Sequence, residues 1–166
     1  MTRKRAVSEV FRKDMRPALE SPYESREKYA GNTVCPDCGA VFLAGSWKWS
    51  RPEEGHPVSE KRCPACRQIQ DDYAGGELTL SGSFLAGHRE EILNRVRNVE
   101  RAAKGEHPLQ RIMRIDESEG QVVIRATSEH LVARMGKALK RDFNGELELG
   151  YVAEEKFARA HWRRDA

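Results

Sequence analysis

Two cysteine pairs, Cys35-Pro-Asp-Cys38-Gly and Cys63-Pro-Ala-Cys66-Arg, stand 24 residues apart in a chain of 166. No other feature constrains the fold as much. A two-residue gap lets both thiolates of a pair meet one tetrahedral ion, and the second pair closes the shell. The small and turn-forming residues around each pair allow backbone amides to approach the sulfurs. The spacing predicts one structural Zn2+ per chain, bound by Cys35, Cys38, Cys63 and Cys66. Four thiolates leave such an ion no open position, so it would hold the fold and activate no water. Thiol–disulfide chemistry of the thioredoxin kind is a weaker fit, because it needs one pair on a βαβ unit and neither pair has one. An iron–sulfur cluster is the remaining alternative. His56, between the pairs, is expected to be an exposed loop residue.

Composition explains why an ion would be needed. Hydrophobic residues make up 39% of the chain and charged residues 33%, so core material is thin. A module of about 40 residues buries too little apolar surface to fold alone. Zinc would add roughly 10–16 kcal/mol of apparent binding energy that becomes folding energy. No apolar run approaches the ~18 residues of a membrane span. The basic N-terminus lacks the apolar core of a signal peptide. The expected location is therefore cytoplasmic, where reduced thiols favour metal over disulfides.

Three regions follow from the pattern. Residues 1–32 read as a basic flexible tail. Its first sixteen positions carry Arg3, Lys4, Arg5, Arg12, Lys13 and Arg16 against Glu9 and Asp14, a local charge of +4. Val7, Val10, Phe11 and Met15 could line a short helix only where a partner supports it. Residues 33–76 are expected to form a zinc ribbon, ending at a Gly75-Gly76 break. Residues 77–166 read as an α+β domain of order α-β-β-α-β-β, with helices on an antiparallel sheet. Leu85, Ile92, Val96, Val99 and Ala103 share a helical face, with Ser83 as N-cap and Gly105 and Pro108 at the end. "RIMRID" and "QVVIRAT" suit a hairpin. A helix from about Ser128 to Phe143 turns Leu131, Val132, Met135, Leu139 and Phe143 inward and stops at Asn144-Gly145. "ELELGYV" and "KFARAHWRR" complete the strands.

Positive charge is unevenly placed. On a helical wheel His130, Arg134, Lys137, Lys140 and Arg141 occupy one arc opposite the apolar stripe, with Glu129 and Asp142 outside it. A solvated face normally mixes signs, as the preceding helix does, so a one-sign arc favours a polyanion. Arg159, Trp162, Arg163 and Arg164 extend the basic character, with His161 among them. In the ribbon, Trp47 and Trp49 flank Lys48 and share a strand face. Either both tryptophans pack on the neighbouring domain, or at least one is a stacking platform for a base or a partner side chain. Together with the tail these residues are the candidate RNA contacts. There is no nucleophile elbow, no H-E-x-x-H and no glycine-rich phosphate loop, and Gly136-Lys137 lies inside a helix. The chain is expected to be non-enzymatic and without a small-molecule substrate.

The run from "CPACRQIQDDYAGG" through "LSGSFLAGHREEILNRVRNVE" to "HPLQRIM" resembles a small family of bacterial zinc-ribbon proteins of unsettled function. The likeness covers roughly residues 33–164. That family is in turn distantly similar to the archaeal and eukaryotic large-ribosomal-subunit export adaptor, which has paired cysteine knuckles followed by α/β segments. This chain has only two knuckles and one α+β unit, where the adaptor has more cysteines and further domains. The resemblance implies a ribosome-bound, non-enzymatic protein and does not say at which stage it acts. Joined to the basic elements, it leads to the expectation of a protein that docks on ribosomal RNA, with ribosomal proteins as further partners, as a stress, hibernation or assembly factor. The alternative from the residues alone is a transcription-associated or protein-interaction zinc ribbon that meets DNA or an acidic partner.

Overall fold

The computed structural model describes Tyr23, residues 29–152 and residues 155–166. The expected tail contacts Arg3, Lys4, Arg5, Arg12, Lys13 and Arg16 lie outside the described residues, as does the tail's apolar stripe.

The first unit is built on turns more than on long strands. Its strands are β1 (Thr33–Val34), β2 (Val41–Leu43), β3 (Ser46–Lys48) and β4 (Ser59–Glu60), in the order β3-β2-β1-β4. β1 and β4 run parallel and the other neighbours antiparallel. Ala44 and Gly45 join β2 to β3 with φ of 49° and 84°, the left-handed pair that a two-residue hairpin needs. Asn32, buried and itself at φ 68°, pins the long loop before β4. Its Oδ1 accepts from the Glu53 amide at 2.6 Å, and its Nδ2 donates to the carbonyls of Glu53, His56 and Pro57. Helix α1 (Pro64–Asp71) follows, with Cys63 as N-cap, proline in the first turn and Asp72 in the left-handed conformation at its end.

The second unit holds the main core. Strands β5 (Gly76–Ser81), β6 (Ile112–Ser118), β7 (Gln121–Ala126), β8 (Glu146–Tyr151) and β9 (Ala158–Arg163) form one sheet in the order β6-β7-β5-β9-β8. Helices α2 (Ser83–Glu106) and α3 (Glu129–Phe143) supply the apolar residues that cover it. Leu78, Leu80, Leu85, Ile92, Val96, Ile124, Leu131, Met135, Leu139 and Trp162 are all fully buried in this core. The α+β class and the α-β-β-α-β-β order stand, with two additions. β5 precedes the first of those helices, and it runs parallel to β9, so the sheet is mixed.

The reason lies in Gly75-Gly76, which sequence alone presents as a break. A Cβ on Gly75 would collide with the Thr127 carbonyl, and one on Gly76 would meet Val132 Cγ2 at 2.6 Å and the Ala158 carbonyl at 2.9 Å. The glycines let β5 enter the middle of the sheet beneath α3. The start of α2 also differs. Ser83 is its first helical residue, and Gly82 at φ 101° takes the cap position with Asp165 accepting from the Ser83 amide at 3.1 Å. Gly105 falls within the last turn, and His107 caps the end. Among the described residues no helix is long and apolar enough to cross a membrane.

Candidate metal centre and flanking groove

Local chemistry brings the four cysteines together. The first pair sits on the tight turn after β1, where the Gly39 amide donates to the Cys35 carbonyl at 2.9 Å and the Cys35 amide to the Ala40 carbonyl at 2.8 Å. Gly39 adopts φ 81° there. The second pair spans the first turn of α1, so helix geometry presents both sulfurs on one side. Backbone amides approach sulfur as the turn residues suggested. Ala40 N–H points at Cys38 Sγ (3.5 Å), Cys63 N–H at Cys35 Sγ (3.3 Å) and Cys66 N–H at Cys63 Sγ (3.4 Å).

The four sulfurs lie within 4.8 Å of one another, and Cys38 Sγ stands 3.8 Å from Cys63 Sγ. A tetrahedron with metal–sulfur bonds of ~2.3 Å has an edge of about 3.8 Å. All four thiols are free of disulfides. Burial pushes the Cys63 and Cys66 thiols up, Cys63 strongly. Burial also acts to raise Cys35, but amide hydrogen bonds from Cys63, Cys38 and Asp37 bring it down to about 7. Four thiolates in this space repel one another, and a divalent cation among them removes that repulsion. The site fits one tetrahedral, thiolate-bound metal ion. His56 is exposed beside Glu53 and stands apart from the cluster, as expected.

The residue that sequence reasoning missed is Arg111. It comes from the stretch leading into β6, yet its guanidinium donates to Cys66 Sγ at 3.0 Å and Cys38 Sγ at 3.1 Å, with Cys63 Sγ at 3.6 Å. It is 5% exposed, and its Nε donates to the Pro108 carbonyl at 2.8 Å. Its own burial disfavours its charge, but the bonds to Cys38 and Cys66 outweigh this and hold its pKa up. A dication on four thiolates leaves two negative charges uncompensated, and Arg111 offsets one of them. The metal centre is therefore shared between the two units. Gln68 Nε2 to the Thr127 carbonyl (3.0 Å) and Trp49 Nε1 to the Lys104 carbonyl (2.7 Å) reinforce the same junction.

Replacing Arg111 with Met should lower metal affinity roughly 10–100-fold, the usual effect of losing an outer-shell partner. Lysine should restore only part, since one ammonium cannot engage several sulfurs as a planar fork does. Competition with a chromophoric chelator reads the difference, and equal affinities in all three proteins would remove Arg111 from the centre.

The aromatic and basic candidates divide. Trp47 is 7% exposed and packs edge-on against Tyr29 and Phe42, so it belongs chiefly to the ribbon's core. Trp49 is 40% exposed, with the Lys104 and Arg111 cations 5.8 and 5.7 Å from its ring centre. Trp162 is 0% exposed and hydrogen-bonded to the Asn144 carbonyl, so it cannot stack a base; that expectation is corrected. Its neighbours differ in kind. Arg164 donates to the Phe143 carbonyl at 2.6 Å and lies over Phe84, which is a structural role. Arg163 pairs with Asp165, and Arg159 is exposed over the Phe157 ring.

The basic arc of α3 is exposed throughout, but it is less uniform than a wheel implies. Glu106 of α2 reaches Arg134 at 3.7 Å, Glu129 reaches His130 at 3.7 Å, and Asp142 bridges Arg141 and Arg95. Hydrogen bonds from Arg141 and then Arg95 hold the Asp142 carboxyl below its ordinary range. Lys137 and Lys140 make no ion pair among the described residues.

A groove of about 650 Å³ lies where the ribbon meets the second unit. It gathers Trp47, Lys48 and His130, three of the expected contacts, with Tyr73, His107 and the buried Glu129. No family model, curated protein or solved structure matches this chain. The family resemblance therefore rests on its motifs alone.

Proposed function

We propose that the ion is zinc and that the chain is a non-enzymatic, zinc-stabilised RNA-binding protein that docks on ribosomal RNA as a hibernation, stress or assembly factor. The observation that carries this reading is the groove between the two units. It sets the exposed Tyr73 ring beside Lys48, His107, His130 and Lys156, with Glu106, Glu129 and Glu155 also on its wall. An exposed ring among basic groups is a pairing that unstacked RNA uses. His130 opens the α3 arc, and Lys137 follows about 10 Å further along the axis at 1.5 Å per residue. A strand seated in the groove could thus run its phosphates along α3. A closed four-sulfur site offers no position for substrate, in keeping with a binding role.

Sedimentation of a cell lysate through sucrose tests the reading. The protein should travel with large-subunit or whole-ribosome fractions and leave them after ribonuclease treatment. A wholly free pool, or transfer to DNA or to an acidic protein, would overturn it in favour of a transcription or adaptor role.

A further inference from the structure

A second cavity lies on the ribbon, and none of the expected contacts among the described residues lines it. It measures about 380 Å³ and is walled by Tyr29, Lys61, Arg62, Arg67, Gln70 and Asp71. Three cations face one carboxylate, and Asp71 is already engaged as acceptor from the Tyr23 hydroxyl at 2.7 Å. Arg62 is held between Asp37 and Gln70. Lys61 and Arg67 have no carboxylate within ion-pair distance among the described residues. Each instead sits over a ring, Lys61 over Tyr29 at 5.9 Å and Arg67 over Tyr23 at 5.5 Å. The Tyr29 hydroxyl is buried and finds no hydrogen-bond partner among the described residues. A buried donor without an acceptor is costly and calls for an explanation.

We infer that this cavity is a phosphate-binding site. Lys61 and Arg67 supply charge, and the Tyr29 hydroxyl supplies a neutral donor. Guanidinium and ammonium groups suit phosphate oxygens, the former by forked hydrogen bonds. Asp71, the one carboxylate among the described wall residues, already accepts from the Tyr23 hydroxyl. The metal centre builds the site. Lys61 and Arg62 lead directly into Cys63, and Arg67 follows Cys66 on the first turns of α1. On the RNA reading, on which this inference rests for its biological ligand, the phosphate belongs to a ribonucleotide backbone.

The test uses the full metal-loaded chain, a fluorescent oligouridylate, and the double substitution Lys61→Gln with Arg67→Gln. Losing two phosphate contacts should flatten the slope of log affinity against log salt by about 1.4, at roughly 0.7 per single-strand contact. Metal content should not change and the thermal midpoint should move little, because Lys61 is exposed, Arg67 is half-buried, and neither makes an ion pair among the described residues. Tyr29→Phe should also weaken binding, and it should not destabilise the fold because the hydroxyl it removes is unpartnered. If the parent chain binds the oligonucleotide and the double variant keeps its slope and affinity, the cavity is no phosphate site, though the RNA reading survives. If the parent chain fails to bind it, the RNA reading falls, and inorganic pyrophosphate decides the cavity. Amide shifts confined to residues 61–71 would sustain the inference, and an unperturbed spectrum would end it.

Discussion

Replacing Cys63 with Ser should strip the metal and unfold the ribbon while the second unit keeps a cooperative transition. Cys63 has two roles: it is a fully buried candidate ligand, and as the N-cap of α1 its sulfur accepts from the Cys66 amide. A serine hydroxyl can still cap the helix, but it is a poor metal ligand because it holds its proton. The ribbon's own apolar cluster is small, built on Ala40, Trp47 and Ala65 around Cys35 and Cys63. Without roughly 10–16 kcal/mol of apparent metal binding, so small a cluster does not offset chain entropy. The main core draws only on residues from Leu78 onward, so it should survive.

Survival should come at reduced stability, which separate cores alone would not predict. Arg111 would lose its sulfur partners and turn to solvent, and the Gln68–Thr127 and Trp49–Lys104 bonds that tie the two units together would go with the ribbon. Elemental analysis and amide hydrogen exchange read both halves of this expectation. Metal-free parent protein purified without chelator would defeat the zinc proposal. Protected amides across residues 33–72 in the variant would show that the ribbon folds without its metal.

What could be read in advance was the chemistry that repeats along the chain. The cysteine pairs announce their site because both partners of each pair are local. The stripes of α2 and α3 and the alternation of β8 and β9 are equally local signals. What escaped depends on contacts between distant segments. β5 was hidden because its opening glycines look like punctuation, when Thr127 and Val132 require them. Arg111 lies 45 residues from Cys66, and nothing in "HPLQRIM" says which way its side chain points. The α3 arc looked uniformly positive because a wheel sees one helix, whereas Glu106 and Arg95 come from another. Trp162 is a different case. Its neighbours Arg159, His161 and Arg163 suggested a basic surface, yet in a strand the alternate positions Ala158, Ala160 and Trp162 face inward.

That alternation fixes what substitution at Trp162 should do. Trp162→Ala is expected to destabilise the second unit by about 3–5 kcal/mol, the range for emptying a fully buried large aromatic site. The indole fills the core where β9 pairs with β5 at Leu80 and with β8 at Leu147. Its Nε1–H also donates to the Asn144 carbonyl at 2.8 Å, just past the end of α3. Truncation therefore opens a cavity and leaves a helix-end carbonyl unpaired. The melting midpoint should fall by on the order of 15 °C or more, since each kcal/mol shifts a domain of this size by about 4–8 °C. Trp162→Phe should recover most of the packing but not the hydrogen bond, and so lie between the two. Measured on the folded fraction, RNA affinity should be the same in all three proteins. A stacking role predicts the reverse, with an unshifted melting curve and weakened binding, and that result would place the ring at the surface.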